Sequence, residues 1–200
     1  MLQVRLLGAV TAERDGEQLS LLPPAGRLLA YLAVRQAPHD REAVAAHLWP
    51  ASAGAAARAN LRTAVWALRK AIGDDALTAS RTTVGLCPEE VIVDLADCTR
   101  RTATGDLAAA ATLCHSELLP GYAEDWAEAA RRQLRAELAE ALAARSAAAE
   151  RNGDTAVAAR WSRLRCELDP LNEAAHADLI CAPQLMSVEV GPAARNQAVI

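Results

Sequence analysis

Residues 55–72 carry the pattern that most constrains the fold, because they form one long amphipathic helix with two unlike faces. Its apolar positions follow the i, i+3, i+4, i+7 spacing of a buried stripe: Leu61, Ala64, Val65, Leu68 and Ile72. Gly73 follows at the position where glycine usually ends a helix. Every charged residue between 51 and 73 is basic: Arg58, Arg62, Arg69 and Lys70. The helix must therefore pack on a core with one side and present positive charge on the other.

The residues before and after this helix alternate between strand and helix signals. Residues 2–7 and 18–22 predict strands joined by a turn at Asp15-Gly16, and helical periodicity begins at Ala25. A short helix follows Asp40, which is expected to cap it, and Pro50 stops it. Beyond the long helix, Leu77–Ala79 and Val91–Val93 are expected to pair as a hairpin with a polar tip over 81–88. The order of small sheet, three helices and hairpin predicts an α+β winged helix-turn-helix domain over residues 1–94.

From residue 95 the pattern is alanine-rich helix with regular interruptions. Gly105-Asp106 and Gly153-Asp154 each join a helix-ending glycine to an aspartate expected to cap the next helix. The longest helix, 126–150, buries a stripe of leucine and alanine, and four charged residues are expected to point away from it: Arg131, Arg135, Glu137 and Glu140. Paired helices in series predict an all-α tetratricopeptide-like helical array over 95–181, followed by an irregular tail over 182–200.

Composition and charge exclude several classes of protein. The chain is 52% hydrophobic and 23% charged, which is typical of soluble globular proteins. It has no apolar run of membrane-spanning length and its first residues do not resemble a signal peptide, so we expect a cytoplasmic protein with no membrane partner. The five cysteines include no C-x-x-C pair and are expected to be reduced residues of the core.

The residues offer little for catalysis. The four histidines, at 39, 47, 115 and 176, lack metal-binding spacing, and no G-x-S-x-G, G-x-G-x-x-G or Walker sequence occurs. Cys114 and His115 are adjacent in sequence, but they lie inside an alanine-rich helical pattern. A chance neighbourhood is therefore a simpler interpretation than a thiolate–imidazole pair or a metal site. We therefore expect no enzyme, no cofactor and no metal.

The basic helix instead predicts binding to double-stranded DNA. A long cationic helix that follows a short one, with Arg81 at a hairpin tip, suits insertion into a major groove. Arginine would contact phosphates and guanine edges, and Asn60 an adenine or a phosphate. The net charge of −4 argues against nucleic acid, but residues 1–94 are neutral and residues 95–200 carry the whole excess of acid. A solvated amphipathic helix remains the simpler alternative for this segment taken alone.

The segment 59–74, ANLRTAVWALRKAIGD, resembles the recognition helix of the Streptomyces antibiotic regulatory proteins, whose DNA-binding domain is an OmpR-type winged helix. The resemblance extends in family order over about residues 2–181. Residues 22–49 resemble the first two helices of that domain, and 85–89 and 91–94 the end of its wing and the domain junction. Residues 117–126, ELLPGYAEDW, resemble a hallmark of the bacterial transcriptional activation domain of the family, and 167–176 a turn into its next repeat.

This resemblance implies a transcriptional activator of a biosynthetic gene cluster that binds direct repeats near a promoter, as a homodimer on DNA, and contacts RNA polymerase. It puts Arg58, Arg62, Thr63 and Arg69 on groove-facing positions, with Asn60 and Lys70 on the same helix. Phosphate contacts are implied for three further residues: Arg27, Arg41 and Arg81.

Trp66 could stack on the sugar-phosphate edge of DNA or pack against the wing or first helix, and packing is the favoured interpretation. The sequence also departs from the family pattern. Ala67 replaces an arginine found in many relatives, and the last helix pair is expected to be incomplete, which gives a truncated activation domain. Two alternatives therefore stay open: a protein-interaction scaffold, and a repressor that competes for DNA sites.

Overall fold

The computed structural model describes residues 1–171 together with Glu173, His176, Ala177 and Leu179. The chain is α+β, as predicted, with a β-rich N-terminal region and a mostly helical remainder. It divides into one unit over Met1–Leu138 and another that begins at Ala139. The domain boundary expected at residue 94 stays a prediction. The expected irregular tail, 182–200, lies outside the described residues, as does most of the segment 174–181.

A four-stranded sheet joins the two ends of the N-terminal region. Its strands are β1 (Leu2–Arg5), β2 (Thr11–Arg14), β3 (Glu17–Gln18) and β7 (Val91–Val93), in the order β3-β2-β1-β7. The turn predicted at Asp15-Gly16 is confirmed: both residues have positive φ, of 53° and 88°, as a tight hairpin turn requires. β1 pairs antiparallel with β2 and parallel with β7.

A second sheet has three strands in the order β4-β6-β5: β4 (His39–Asp40), β5 (Leu77–Ala79) and β6 (Thr83–Leu86). The expectation that Val91–Val93 pairs with Leu77–Ala79 is wrong, because Thr83–Leu86 occupies that place. The hydroxyl oxygen of Ser80 accepts hydrogen bonds from the N–H groups of Thr82 and Thr83, which closes the turn early. Past Pro88 the chain turns again, and Val91–Val93 joins β1 instead.

Three helices belong to the same region, α1 (Pro23–Arg35), α2 (Arg41–Leu48) and α3 (Gly54–Ile72), and α3 packs against both α1 and α2. α1 begins two residues before the predicted Ala25, because proline fits the first turn of a helix, where no N–H donor is needed. Asp40 caps α2 as predicted, accepting from the N–H groups of Glu42 and Ala43 at 2.9 and 3.0 Å. The whole predicted apolar stripe of α3 is buried, and Gly73 ends the helix with φ 89°.

Four helices follow: α4 (Asp94–Thr104), α5 (Leu107–Cys114), α6 (Asp125–Arg151) and α7 (Thr155–Leu168). The predicted breaks at Gly105 and Gly153 are confirmed, with φ of 83° and 80°. The predicted capping by the aspartates is wrong. Asp106 and Asp154 stand at the N-cap positions, but neither side chain bonds to the helix, and Asp106 accepts from Arg101 at 2.8 Å instead.

Of the four described cysteines, three lie on helices and Cys87 follows β6, and only Cys98 is a core residue as predicted. Cys98 is buried and donates to the carbonyl of Ala110 at 3.8 Å, whereas Cys87, Cys114 and Cys166 are half-buried. The adjacent Cys98 thiol, together with burial, raises the pKa of Cys114 above its usual value, which favours the neutral thiol.

Arg131 corrects the prediction that the charged residues of α6 point away from its apolar stripe. Its side chain is buried, with 6% of the residue exposed, and faces the irregular segment 115–124. Nε donates to the carbonyl of Leu118 at 2.7 Å, and Nη2 donates to those of Leu119 and Tyr122 at 2.6 Å each. The guanidinium therefore pairs with three carbonyl groups of this non-helical segment, of which that of Leu119 also accepts from the N–H of Tyr122 at 3.2 Å.

In the unit that begins at Ala139, α7 packs through a small polar contact. The Ser146 hydroxyl is buried, donates to the carbonyl of Ala158 at 3.2 Å and lies 2.9 Å from the Ser162 hydroxyl. Across the described part of the chain, no helix combines the length and the hydropathy needed to cross a bilayer.

Candidate nucleic-acid interface

The side of α3 opposite its buried stripe is exposed and cationic. Arg62 is exposed and forms no ion pair within the described part of the chain. Arg58 is loosely engaged, with Nη1 3.7 Å from Glu42 Oε1, whereas Arg69 forms a closer ion pair, with Nε 3.0 Å from Asp74 Oδ1. Because Glu42 is 77% exposed, its pairing with Arg58 gives little net stabilisation and can be exchanged for another anion.

A depression beside α3 brings together basic residues from three separate parts of the sequence. It has a volume of about 600 Å³ and includes four arginines against two carboxylates. The lining residues are Asp40, Arg41, Glu42, Arg58, Leu61, Arg62, Ser80, Arg81 and Thr82. Positive charge therefore predominates on a concave surface between the start of α2, the first half of α3 and the tip of the β5–β6 hairpin.

The pairing of β4 with β6 puts the start of α2 beside the hairpin tip. His39 pairs with Val84 and Asp40 with Thr83, and the N–H of Arg41 donates to the carbonyl of Thr82 at 2.8 Å. Arg41 and Arg81 thus lie on either side of a short backbone connection. Their convergence depends on this pairing and on the packing of α2 against α3.

The hairpin tip has a defined conformation. Besides accepting two backbone N–H groups, the Ser80 hydroxyl lies 2.8 Å from that of Thr83, which ties the two sides of the turn together. A tip fixed in this way holds the backbone of Arg81 in place, and the side chain is exposed. Ser80 and Thr82 line the depression but were missed from the sequence, where the only signal was the polar run around Arg81.

The carboxylates nearest to the interface are already engaged. Asp40 Oδ1 accepts from two N–H groups at the start of α2. At the other end of α3, Arg14 Nη2 donates to both oxygens of Asp75 at 3.0 Å, and the Arg14 guanidinium holds the pKa of Asp75 below its usual value. The ion pair with Arg14 therefore offsets the charge of Asp75 at the C-terminal end of α3.

The predicted site residues fall into three groups. Arg41, Arg58, Arg62 and Arg81 line the depression. Asn60, Thr63, Arg69 and Lys70 lie along α3 outside it, and the Thr63 hydroxyl donates to the carbonyl of Ala59 at 3.2 Å.

Arg27 lies elsewhere. Its Nε is 2.7 Å from Glu124 Oε1, and it lines a different depression, between α1, β2 and residues 120–124. The structure therefore does not bring Arg27 to the basic surface on α3, because its side chain lies on α1 beside residues 120–124.

The preferred interpretation of Trp66, as a packed side chain, is wrong. Trp66 is 64% exposed, because it lies on the far side of α3 from the apolar stripe. The Lys70 Nζ, on the next turn of the same helix, lies 5.6 Å from its ring centroid.

Among the described residues, no group of three or more His, Cys, Asp and Glu side chains is arranged to hold a metal ion. Comparison of the chain with models of protein families gives no match, and comparison with curated proteins gives no significant one.

Proposed function

We propose that this protein is a sequence-specific transcriptional regulator that binds double-stranded DNA. In this proposal α2 and α3 act as a helix-turn-helix, and the β5–β6 hairpin is the wing of a winged-helix domain. The observation that carries the proposal is the convergence of Arg41, Arg58, Arg62 and Arg81 on one concave surface. A polyanion with regularly spaced phosphates is the ligand that such a surface suits best.

The dimensions of α3 support insertion into a major groove. The helix has 19 residues and is therefore about 28 Å long, and the groove is wide enough to admit one α-helix. α3 contains no acidic residue. When the middle of α3 lies in the groove, Arg58 and Arg62 reach base edges or the phosphates of one strand. Arg81 then reaches the DNA backbone beyond the groove.

The helical part of the chain serves, in the same proposal, as the activating region. Residues 95–200 hold the entire excess negative charge, so they suit contact with protein better than contact with DNA. A tetratricopeptide-like arrangement of α4–α7 would present paired helices to RNA polymerase, with two copies of the protein on a direct repeat. A reporter gene under a promoter with the selected site tests this role, and occupancy without a gain in transcription would contradict activation.

DNA binding is tested with a site selected from random-sequence duplexes by the full-length protein. Binding of that duplex and of a scrambled duplex is measured by fluorescence anisotropy between about 50 and 200 mM salt. Over this range the affinity that comes from phosphate contacts falls steeply. We expect Arg62→Ala to bind the selected site at least about fivefold more weakly, since one arginine contact is worth roughly 1–3 kcal/mol. If Arg62 contacts a phosphate, Arg62→Ala should also make the negative slope of log K against log salt shallower by about 0.9.

Arg132→Ala is the matched control, because Arg132 is an exposed arginine on α6 outside the depression. It should bind as the wild type does. Equal binding by the wild type and Arg62→Ala would show that α3 is not the contacting helix. A wild type that does not distinguish the selected from the scrambled duplex would refute the function.

A further inference from the structure

Trp66 is a large apolar side chain in an unfavourable position for a folded protein in water. Tryptophan is on average among the more buried residue types, yet 64% of Trp66 is exposed. By contrast, Trp126 in the same N-terminal unit has a defined packing role. It is only 5% exposed and contacts the Tyr31 ring edge to face. The exposure of Trp66 is therefore a local feature of α3.

Trp66 lies in the middle of the exposed face of α3, between cationic residues. Arg62 lies one turn before it and Lys70 one turn after it, at the i, i+4 spacing that makes helix side chains neighbours. Lys70 Nζ is 5.6 Å from the indole centroid. The buried stripe, including Leu61 and Leu68, occupies the opposite side.

The surrounding charges select the partner that covers this indole. A protein surface that covers Trp66 would have to meet Arg62 and Lys70 as well, with no carboxylate on α3 to offset them. A DNA groove meets both demands, because its phosphates face the flanking cations and its floor faces the middle of the helix. The outward midpoint of α3 is thus the part that would come closest to base edges.

The chemistry of the indole limits what it can contact there. Its ring N–H donates one hydrogen bond and it has no acceptor, so most of its contact area is apolar. The apolar group on the floor of the major groove is the C5 methyl of thymine. We propose that Trp66 is a specificity-determining residue that packs against a thymine methyl group in the major groove. The inference rests on the proposed DNA binding and adds the base that this helix selects.

The test is a double-mutant cycle between Trp66→Ala and removal of single methyl groups from the DNA. Each thymine in the selected duplex is replaced in turn by uracil, which differs only in lacking the C5 methyl. Binding of each duplex by the full-length wild type and by Trp66→Ala is measured by fluorescence anisotropy. Circular dichroism verifies that the variant is folded, which the exposure of Trp66 and the helix preference of alanine favour.

For the wild type we expect at least one thymine-to-uracil replacement to weaken binding about three- to fivefold, the factor that burial of one methyl group gives. Trp66→Ala should bind the thymine duplex more weakly and lose all response to that replacement. Ile92→Ala is the matched control, because Ile92 is an exposed apolar residue on β7, outside α3. It should keep the response of the wild type.

Two results would overturn the inference while leaving DNA binding intact. One is selective binding by the wild type with no response to any uracil. The other is the same response in the wild type and in Trp66→Ala. If the wild type fails to select any duplex over scrambled DNA, the proposed function itself is refuted, and the inference falls with it.

Discussion

Replacing Arg131 by methionine should destabilise the N-terminal unit strongly, because this one side chain satisfies three backbone carbonyl groups. Nε and Nη2 donate to Leu118, Leu119 and Tyr122 at 2.6–2.7 Å, and Nη1 donates to Glu128 at 2.6 Å. Methionine fills a similar volume without any donor, so the carbonyls of Leu118 and Tyr122 lose this partner and that of Leu119 keeps only the bond from the N–H of Tyr122.

The expected magnitude follows from the number of groups left unpaired. An unsatisfied buried acceptor costs about 1–3 kcal/mol, and breaking a buried charged pair by removing one partner costs roughly 3–5 kcal/mol. Because Glu128 is half-exposed and can turn to solvent, most of the loss comes from the carbonyls. We expect a decrease of about 3–5 kcal/mol in the free energy of unfolding. Arg131→Lys should recover part of this, since one ammonium cannot reach all three carbonyls in the fork geometry of a guanidinium.

The measurement is urea denaturation followed by near-UV circular dichroism, which reports on the packed aromatic rings of Tyr31 and Trp126, whose centroids are 5.2 Å apart. Arg135→Ala, one turn further along α6 and exposed, is the control and should unfold within about 0.5 kcal/mol of the wild type. An Arg131→Met midpoint equal to that of Arg135→Ala would refute the account of Arg131 as the residue that holds segment 115–124.

Two further predictions concern contacts between distant parts of the chain. Asp94→Ala should lower stability by about 2 kcal/mol in urea denaturation, because the carboxylate accepts from the N–H of Leu6 at 2.9 Å and from that of the next residue at 3.0 Å; an unchanged midpoint would contradict it. Gly85→Ala should cost about 1–3 kcal/mol by thermal denaturation and weaken DNA binding, because a Cβ there would lie 2.8 Å from the backbone Cα of Pro38. Gly26→Ala is its control, since a Cβ at Gly26 meets only ordinary contact and alanine favours the helix; a loss equal to that of Gly85→Ala would argue against the steric reason.

The helices were largely predictable because their signals are local. The stripe of α3 and its end at Gly73 follow from spacing within one segment, and the observed helix, Gly54–Ile72, begins one residue before the predicted one. The cap at Asp40 and the turn at Asp15-Gly16 are likewise short-range effects of side-chain and backbone chemistry. The charge of the exposed side of α3 was also evident, because a helix puts residues three and four apart on one face.

The strand partners were not predictable in the same way. Three short runs, at 77–79, 83–86 and 91–93, could pair in more than one manner, and hydrophobic content does not decide between them. The tight turn at Ser80 and the second turn after Pro88 decide which strands pair. As a result, Val91–Val93 pairs with β1. Asp94 then fixes this arrangement by binding backbone N–H groups 88 residues away in sequence.

Some residues of the candidate interface are placed by local helix geometry, and others are placed by strand pairing between distant segments. Arg58 and Arg62 share a face of α3 through helix geometry alone, so the sequence by itself determines them. Arg41 and Arg81 join them only because β4 pairs with β6, a contact between residues far apart in sequence. Arg27 shows the converse, because an ion pair with Glu124 keeps a residue with the same charge elsewhere.

The sequence by itself determined where the helices lie, which face of each is apolar, and that the positive charge of the first 94 residues is concentrated on α3. Only the tertiary structure decided which cations converge, that Arg131 is buried and that Trp66 is exposed. The physical reason is range. Periodicity and capping act over a few residues, whereas the burial of a charge or an indole depends on which distant backbone groups and side chains pack against it.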